Sequence, residues 1–566
     1  MRTALIRLWA SSLYDRAHVQ PFSDESTDSG KAASTWLGAI PSHLLDYHSL
    51  EVDELSALVA HTKGFYARDY SLWLGWNNMR YIIDTAFLQA RLLNRTLLLP
   101  SFVYARGCFE GSEACADCLS TDHKCRELPF EQYRHIGYRI PIQLMLNITT
   151  MRTVHPTILV SDYLRMHGLP TVIENKEGLW ERAAYHSMGP LEGDRLGPDL
   201  FVIQKGWYDT KEARRVDGLT EGMKSRGHWI SGNATEVGAS GRWEEKEDSE
   251  VARKLRFQFG LFNTLPWDNA VKTLRKTSAA EMYDLSSEAG VLDALHDHGW
   301  EVVHTFEGMR RSDLAKAVVE PIREVVERNT LRGFVDDFAN VEARVLLLEG
   351  DLHNERKAGA MRFTTASGLE QFQRDVLYSI QPIQLLQELA ERLAERMYER
   401  TGGRLWAGAH MRRGDFVNLN WAASRSHEGH MRMVKSRLLD ARHLIESIQG
   451  NVQPYPVPNA SIDPALLARP PPVYGDPFYL ATDERDSAAR AHFRDQGAIL
   501  LPDILRQEDL DAVGWPLLLS DIRVVVEQEL LARAAYFTGT HMSSVAGGVL
   551  NMRAAHGADR RAASLY

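Results

Sequence analysis

At 566 residues the chain is longer than one ordinary domain, which predicts two large domains. Its content of 44% hydrophobic and 25% charged residues is typical of globular proteins, and its net charge of −10 argues against a nucleic-acid partner, whose binding surface is basic. No apolar run of about 18 residues occurs, so the sequence predicts no transmembrane helix.

The beginning of the chain predicts a peripheral segment followed by a helix and a strand. Residues 1–60 are polar and mixed, and Met1–Ala10 is too short and interrupted for a signal peptide. From Asn78 to Leu93 apolar residues recur at helical spacing, and Leu97–Leu99 is typical of a buried strand. Gly75 and Asn77 precede this helix, where they suit either an ordinary cap or an anion site built from free amides.

The four cysteines lie within one short window and leave two interpretations open. Cys108, Cys115, Cys118 and Cys125 have the spacing C-x6-C-x2-C-x6-C. This pattern suits two disulfides that pin an insertion, or a zinc site with four thiolate ligands.

The middle of the chain alternates strand-like and helical segments. Thr157–Val160 and Val345–Leu348 are predicted strands, and residues 208–253 are charged and non-periodic, which indicates a surface insertion. Residues 369–400 predict a helical stretch that Pro382 kinks or divides. This alternation predicts parallel sheets flanked by helices, an α/β fold.

The most informative stretch runs from Leu405 to Phe416. A short apolar run, typical of a buried strand, ends in His410, two arginines, Gly414 and Asp415. In open α/β sheets ligands bind beyond the carboxyl ends of strands, and paired guanidiniums there suit a diphosphate.

Two later segments repeat the pattern of a strand followed by a polar turn. Phe478–Thr482 leads into Asp483, whose carboxylate suits the paired N–H groups of a purine edge. Ala535–Thr540 leads into a turn with Ser543 and Ser544, which suits phosphate oxygens where a helix begins. The pattern G-x-x-x-x-G-K-[ST] is absent, which argues against a P-loop kinase, and the G-x-G-x-x-G fingerprint of NAD enzymes is also absent.

With these motifs the chain resembles the protein O-fucosyltransferase group and its relatives, the α1,6- and α1,2-fucosyltransferases. His410–Asp415 is similar to the group's His-x-Arg-Arg-Gly-Asp motif, and Ala481-Thr482-Asp483 to its second motif. The residues that match the third motif are Phe537, Gly539, Ser543, Ser544 and Arg553. The segment from Gly75 to Pro100 resembles the group's glycine-asparagine turn, first helix and second strand.

The resemblance implies a GT-B fold, in which two Rossmann-like domains with parallel sheets face each other across a cleft. We expect a lead-in at 1–60, an acceptor-side domain at 61–370 with an insertion at about 208–253, and a GDP-fucose-binding domain at 371–566 with a proline-rich loop at 453–472.

The resemblance also implies site residues for an inverting transfer of L-fucose from GDP-fucose. Arg412 would hold the β-phosphate, and Arg413 would contact the phosphates or brace Asp415. The other implied donor-binding residues are His410, Asp483, Ser543, Ser544, Arg553 and Gly75. Asn77 or Asn78 would hydrogen-bond the donor or acceptor near the anomeric centre.

The resemblance leaves the identity of the general base open and predicts that no metal is required. Some members of the group carry a glutamate before the glycine turn, where this chain has Leu74. The candidate general bases are therefore Asp415, Glu349 and Asp351. A dissociative route with little base assistance is the alternative. Because arginines and amides would neutralise the leaving group, we expect no metal and no cofactor. Asp509-Leu510-Asp511 is interpreted as a solvated helix start and not as a metal site.

The acceptor is predicted only as a protein or glycan hydroxyl. The resemblance implies the lumen of the secretory pathway and, with it, disulfides at the four cysteines; a cytosolic protein is the alternative, because no signal or anchor is evident. Asn233 and Asn459 are the better glycosylation candidates. The other functional hypotheses are a glycosyltransferase of this fold with a different nucleotide sugar, and a non-catalytic relative that binds glycans or partners.

Overall fold

The computed structural model describes residues 49–70, 72, 75–105, 138–174, 200–204, 213–232, 241–244, 248–259, 263–310, 317–349 and 357–566. The expectations for residues 1–48, Leu74, the four cysteines, Asn233 and Asp351 therefore lie outside the described residues.

The strands are numbered in chain order. They are β1 (Phe65–Arg68), β2 (Thr96–Leu99), β3 (Phe102–Ala105), β4 (Tyr138–Pro141), β5 (Thr157–Leu159), β6 (Leu200–Ile203), β7 (Arg214–Val216), β8 (Trp229–Ser231), β9 (Gly241–Trp243), β10 (Leu265–Pro266), β11 (Trp300–Phe306), β12 (Pro321–Glu327), β13 (Leu331–Gly333), β14 (Val345–Leu348), β15 (Ala407–Met411), β16 (Phe478–Thr482), β17 (Ala498–Ile499), β18 (Tyr536–Gly539) and β19 (Ala563–Leu565).

The α-helices are numbered in the same way. They are α1 (Val52–Val59), α2 (Trp76–Leu92), α3 (Ile148–Val154), α4 (Val160–Met166), α5 (Glu221–Arg226), α6 (Glu250–Phe257), α7 (Trp267–Leu274), α8 (Ala279–Met282), α9 (Glu288–Asp297), α10 (Phe334–Phe338), α11 (Ala366–Arg374), α12 (Gln384–Arg400), α13 (Gly414–Leu419), α14 (His427–Ile448), α15 (Pro464–Ala468), α16 (Ser487–Asp495), α17 (Leu501–Ile504), α18 (Gln507–Val513), α19 (Ser520–Ala532) and α20 (Ser544–Ala555).

Two five-stranded parallel sheets organise the described part of the chain, which confirms the predicted α/β class. The amino-terminal sheet has the strand order β5-β2-β1-β14-β6, and the carboxyl-terminal sheet has the order β17-β16-β15-β18-β19. All neighbours within each of these sheets are parallel. Their strands are short and apolar because helices cover both faces.

The first helix of the amino-terminal half shows how the sequence pattern leads to packing. Ile82, Ile83, Ala86, Phe87 and Ala90 are all buried on α2, as their helical spacing predicts. After the helix, Asn94 adopts the left-handed conformation (φ +50°), which asparagine tolerates better than most residues. The chain then enters β2, so the predicted helix and strand are confirmed.

The long helical stretch between the sheets is divided, as Pro382 predicts. α11 continues into a π-helical turn at Asp375–Ser379, and α12 begins at Gln384. One hydrophobic cluster includes Leu346 of the amino-terminal sheet and Ala409 of the carboxyl-terminal sheet. The two halves therefore share a continuous core.

Several elements differ from the sequence-based expectation. The antiparallel sheet β10-β12-β11 lies outside both parallel sheets and was not predicted. The described part of 208–253 contains short strands and helices, and the loop at 453–472 contains α15. Asp509 does begin a helix, but it is buried and accepts from Arg396, so the solvated interpretation was wrong. None of the described helices is long and apolar enough to cross a membrane.

Candidate functional site

Three motif segments meet at one edge of the carboxyl-terminal sheet. β15 lies at its centre, between β16 and β18. In the register, His410 pairs with Ala481 of β16 and with Gly539 of β18, so the three strands end at the same level. Because parallel strands share one carboxyl edge, residues far apart in sequence form one surface there.

Arg412 lies at this edge with its side chain 29% exposed. Its Nη1 donates to Asp483 Oδ2 at 2.6 Å, and its guanidinium carbon lies 5.3 Å from the centre of the Phe416 ring. The backbone N–H of Arg412 donates to Thr540 Oγ1 at 3.4 Å. One residue thus links the first, second and third motif segments.

Arg413 points into the protein and is 5% exposed. Its Nε donates to Glu484 Oε2 at 2.6 Å. Its terminal nitrogens donate to the carbonyl oxygens of Ser424, Arg425 and Ser426. Every nitrogen of this guanidinium thus donates to Glu484 or to the 424–426 backbone. Bracing of Asp415 and direct donor binding by Arg413 both stay predictions.

Asp483 joins the second motif to the first through both carboxylate oxygens. Besides Arg412, it accepts from the backbone N–H of Arg413 at 2.6 Å. A Cβ at position 414 would overlap Asp483 Oδ2, so Gly414 allows this close approach. In this structure the carboxylate that was expected to read a guanine edge faces the motif arginine.

Two buried histidines line the inner side of the edge. Burial, with Arg412 and His430 as further causes, lowers the pKa of His410 to about 3. Burial and then Arg413 lower the pKa of His430 to about 4. The Tyr566 hydroxyl lies 3.1 Å from His430 Nε2 and donates to the His410 carbonyl oxygen at 3.1 Å. Both imidazoles are therefore neutral near pH 7 and add no charge to the site.

The third motif supplies a helix amino terminus at the same edge. Ser543 caps α20, its Oγ accepting from Val545 N at 3.3 Å. No acidic residue lies in the first turn of α20, so its positive end is not neutralised by its own side chains. The backbone carbonyl of Ser544 accepts from Tyr81 of the amino-terminal half at 2.6 Å.

Arg553 is not brought to this edge. It lies near the other end of α20, is fully buried, and donates to carbonyls that include Ala535 and Ala562. Ala535 precedes β18, so Arg553 lies beside the beginning of the strand, whereas Ser543 follows its end. This position supports a core role and does not support the phosphate contact that the resemblance implied.

The amino terminus of α2 faces the carboxyl-terminal half. Gly75 is its cap, and the next N–H, that of Trp76, donates to Asp521 Oδ1 of α19 at 3.3 Å. The expected anion partner of these amides is thus present as a protein carboxylate. Asn77 and Asn78 lie in the first turn, both partly exposed. The side chain of Asp415 lies outside the described residues.

Further charged residues at this edge were missed by the sequence analysis. Glu527 of α19 accepts from the Tyr479 hydroxyl at 2.8 Å, and burial raises the pKa of its carboxyl to about 7, with Asp483 among the further causes. Glu484 adjoins Asp483 in sequence, and Asp521 is the second residue of α19. Their partners are distant in sequence, so the local pattern does not indicate these contacts.

A cavity of about 290 Å³ lies between the two halves, along α2, the π-helical turn, α19 and α20. Asn77, Arg80 and Glu529 contribute to its lining, but Arg412, Asp483 and Ser543 do not. The cavity is therefore distinct from the motif edge, and α2 and α20 contribute residues to its lining.

No family model and no curated protein matches the chain. Among solved structures, it is similar to the apo form of POFUT1 at TM-score 0.33 and 11% identity, over 92% of this chain and 99% of that chain. The POFUT1 complex with GDP-fucose gives 0.32 and 12%, over 89% and 98%. NodZ alpha-1,6-fucosyltransferase soaked with GDP-fucose gives 0.22 and 14%, over 37% and 52%. Because these TM-scores and identities are low, they assign no function.

Proposed function

We propose that the chain is an inverting, metal-independent fucosyltransferase that moves L-fucose from GDP-fucose to a hydroxyl of a protein or glycan acceptor. The observation that carries this proposal is the convergence of Arg412, Asp483 and the amino terminus of α20 at one sheet edge. These groups come from the three motifs that resemble those of fucosyltransferases.

The diphosphate would lie between Arg412 and the first turn of α20. Arg412 is partly exposed and always charged, and helix amino termini attract phosphate through their free N–H groups. In the unliganded chain Arg412 is paired with Asp483, so donor binding would exchange a carboxylate oxygen for a phosphate oxygen. Asp483 would then be released from this bond to accept from the guanine edge.

In the reaction the acceptor oxygen attacks the anomeric carbon of fucose while the carbon–oxygen bond to the β-phosphate breaks. The electron pair of that bond leaves with GDP, and Arg412 would stabilise the developing negative charge. The attack comes from the face opposite GDP, which inverts the configuration. The acceptor proton would pass to Asp415, Glu349 or Asp351, or, in a dissociative route, would leave with little assistance from a base.

The amino-terminal half would complete a GT-B cleft. The Tyr81–Ser544 hydrogen bond joins α2 to the first turn of α20, and the Trp76–Asp521 hydrogen bond joins the first turn of α2 to α19. Asn77 or Asn78 would therefore lie near the anomeric centre. The neighbouring cavity of about 290 Å³ offers room for part of the acceptor. We further propose that this reaction takes place in the lumen of the secretory pathway.

A nucleotide screen by thermal shift tests the donor assignment. We expect GDP to raise the melting temperature more than UDP, because a ligand that binds only the native state stabilises it by mass action. Asp483→Ala should reduce the GDP effect, whereas Asp440→Ala, at an exposed position of α14, should not. Equal or greater stabilisation by UDP would favour a glycosyltransferase with another nucleotide sugar.

Release of GDP from GDP-fucose, measured with and without EDTA, tests catalysis and metal dependence. We expect turnover in both conditions. Loss of turnover in EDTA that manganese restores would refute the metal-independent mechanism, and GDP binding without any turnover would favour a non-catalytic relative.

A further inference from the structure

A second cavity, of about 230 Å³, lies on the antiparallel sheet, away from the motif edge. It is bordered by β11 and β12 and by helices α5 and α9, and Arg226, Glu301, His304 and Arg323 are among its lining residues. None of the residues assigned to donor binding lines it. We call it the β11–β12 cavity.

Its floor carries a buried carboxylate with two arginine partners. Glu301 is 1% exposed. Arg226 donates to both of its oxygens, at 3.2 and 2.7 Å, and Arg328 Nε donates to Oε1 at 2.6 Å. Two guanidiniums thus share one carboxylate, which leaves an excess positive charge beneath the cavity.

Arg323 is held in place at the rim. Its guanidinium carbon lies 4.1 Å from the centre of the Trp267 ring, a cation–π contact. Nη1 donates to Glu288 Oε1 at 2.6 Å, and Glu288 is 62% exposed. Among the described residues, Nε and Nη2 of Arg323 have no hydrogen-bond partner.

His304 adds a neutral donor directly opposite Arg323. The two residues are paired in the antiparallel register of β11 and β12. Burial, followed by the charge of Arg323, lowers the pKa of His304, so its ring is uncharged near pH 7 and keeps one N–H. Neither ring nitrogen has a hydrogen-bond partner within the described ranges.

We propose that the β11–β12 cavity binds an oxyanion: a carboxylate, sulfate or phosphate group. Arg323 and His304 both line the cavity from paired positions, above the Arg226–Glu301–Arg328 group, and a charged acceptor would satisfy the N–H groups of both. Glu288 already occupies one Arg323 nitrogen in the way that such an anion would. The site is separate from the donor edge and does not depend on the fucosyltransferase proposal.

Calorimetric titration of the full chain with phosphate, sulfate and acetate, at ionic strength held constant with sodium chloride, tests this site. We expect at least one anion to bind saturably and Arg323→Ala to weaken it about tenfold, the scale of a lost hydrogen bond to a charged group. Arg253→Ala is the matched control, because Arg253 is exposed on α6 and does not line the cavity. The order of the three affinities shows whether the site prefers a phosphate, a sulfate or a carboxylate group.

A second variant keeps the test independent of any structural damage by Arg323→Ala. Glu288→Gln removes a competing charge from an exposed position, so anion binding should tighten several-fold. Binding by no anion, or equal affinity of the wild type with both Arg323→Ala and Glu288→Gln, would overturn the proposal. Unchanged GDP stabilisation in Arg323→Ala would show that the anion and the nucleotide occupy different places.

Discussion

An arginine lies at the carboxyl edge of each of the two parallel sheets, and the two arginines differ in exposure. At the amino-terminal sheet, β1 ends at Arg68, which is 1% exposed and donates to Thr85 of α2 at 2.6 Å. At the carboxyl-terminal sheet, β15 is followed by Arg412, whose side chain is 29% exposed and is paired with the partly exposed Asp483. A buried guanidinium ties a strand to its helix, whereas a partly exposed one can exchange its partner for a ligand.

Under the proposed function, the donor would bind at the carboxyl-terminal sheet, and the amino-terminal half would contribute through the first turn of α2. Exposure also separates two adjacent residues, because Arg413 is buried and every nitrogen of its guanidinium donates to protein, whereas Arg412 is partly exposed and donates to Asp483. The variants that follow test these differences.

We expect the largest effect from Arg413→Ala. It would leave Glu484 without its buried partner and the carbonyls of Ser424 and Arg425 without donors, so unfolding free energy should fall by about 3–5 kcal/mol. Urea unfolding measures this loss. Arg425→Ala, whose guanidinium binds exposed Asn420, should change stability little. A stable but inactive Arg413→Ala variant would move the direct phosphate role to Arg413.

Arg412→Ala should act on turnover and much less on stability. If this guanidinium meets the β-phosphate mainly as the bond breaks, kcat should fall by roughly 10²-fold or more, the scale of losing one preorganised donor. Arg412→Lys should rescue little, because a point charge cannot reproduce the planar fork. GDP release from GDP-fucose is the measurement, with Arg432→Ala, at an exposed position of α14, as the control. Normal turnover in Arg412→Ala would contradict the proposed function.

The two buried histidines predict acid sensitivity of the carboxyl-terminal edge. The pKa values of His410 and His430 lie at about 3 and about 4, below the usual 6.5, so below pH 6.5 the unfolded chain takes up protons that the folded chain does not. Each histidine should therefore cost stability as pH falls, by at most about 1.4 kcal/mol per pH unit. The Glu527 carboxyl has a pKa of about 7 in the folded chain, above its usual value of 4.5. As pH falls from 7 to 4.5 the folded chain takes up this proton first, so Glu527 adds stability in that range.

Urea unfolding of the wild type and of His430→Gln between pH 7 and 4.5 checks this expectation. The variant should lose less stability over that range than the wild type. Equal slopes would contradict the assignment of His430 as a neutral buried group.

The smallest effect is expected at the contact between the halves. Asp521→Asn removes the negative charge from the amino terminus of α2, which should cost about 0.3–1 kcal/mol. Differential scanning calorimetry measures it, and Asp440→Asn is the exposed control. A loss of several kcal/mol would show that this carboxylate couples the halves more strongly than a helix-end interaction.

Local sequence determined the positions of the motifs and several strands and helices of the two parallel sheets. Leu97–Leu99, Val345–Leu348 and Phe478–Thr482 were recognisable because a buried parallel strand needs only a short apolar run between turns. The meeting of three motifs also followed from sequence, since strand ends in a parallel sheet share one edge. The domain boundaries and the donor-binding roles stay predictions.

Tertiary structure decided what each polar side chain contacts. Adjacent Arg412 and Arg413 look alike in sequence, but one lies at the edge and the other inside, because their partners lie elsewhere along the chain. The hydrogen bond between Asp521 and Trp76 joins residues that are 445 positions apart. Arg323 lies opposite His304 only because β11 and β12 pair. Burial and hydrogen bonding depend on such distant neighbours, whereas helical and strand periodicity depends on near ones.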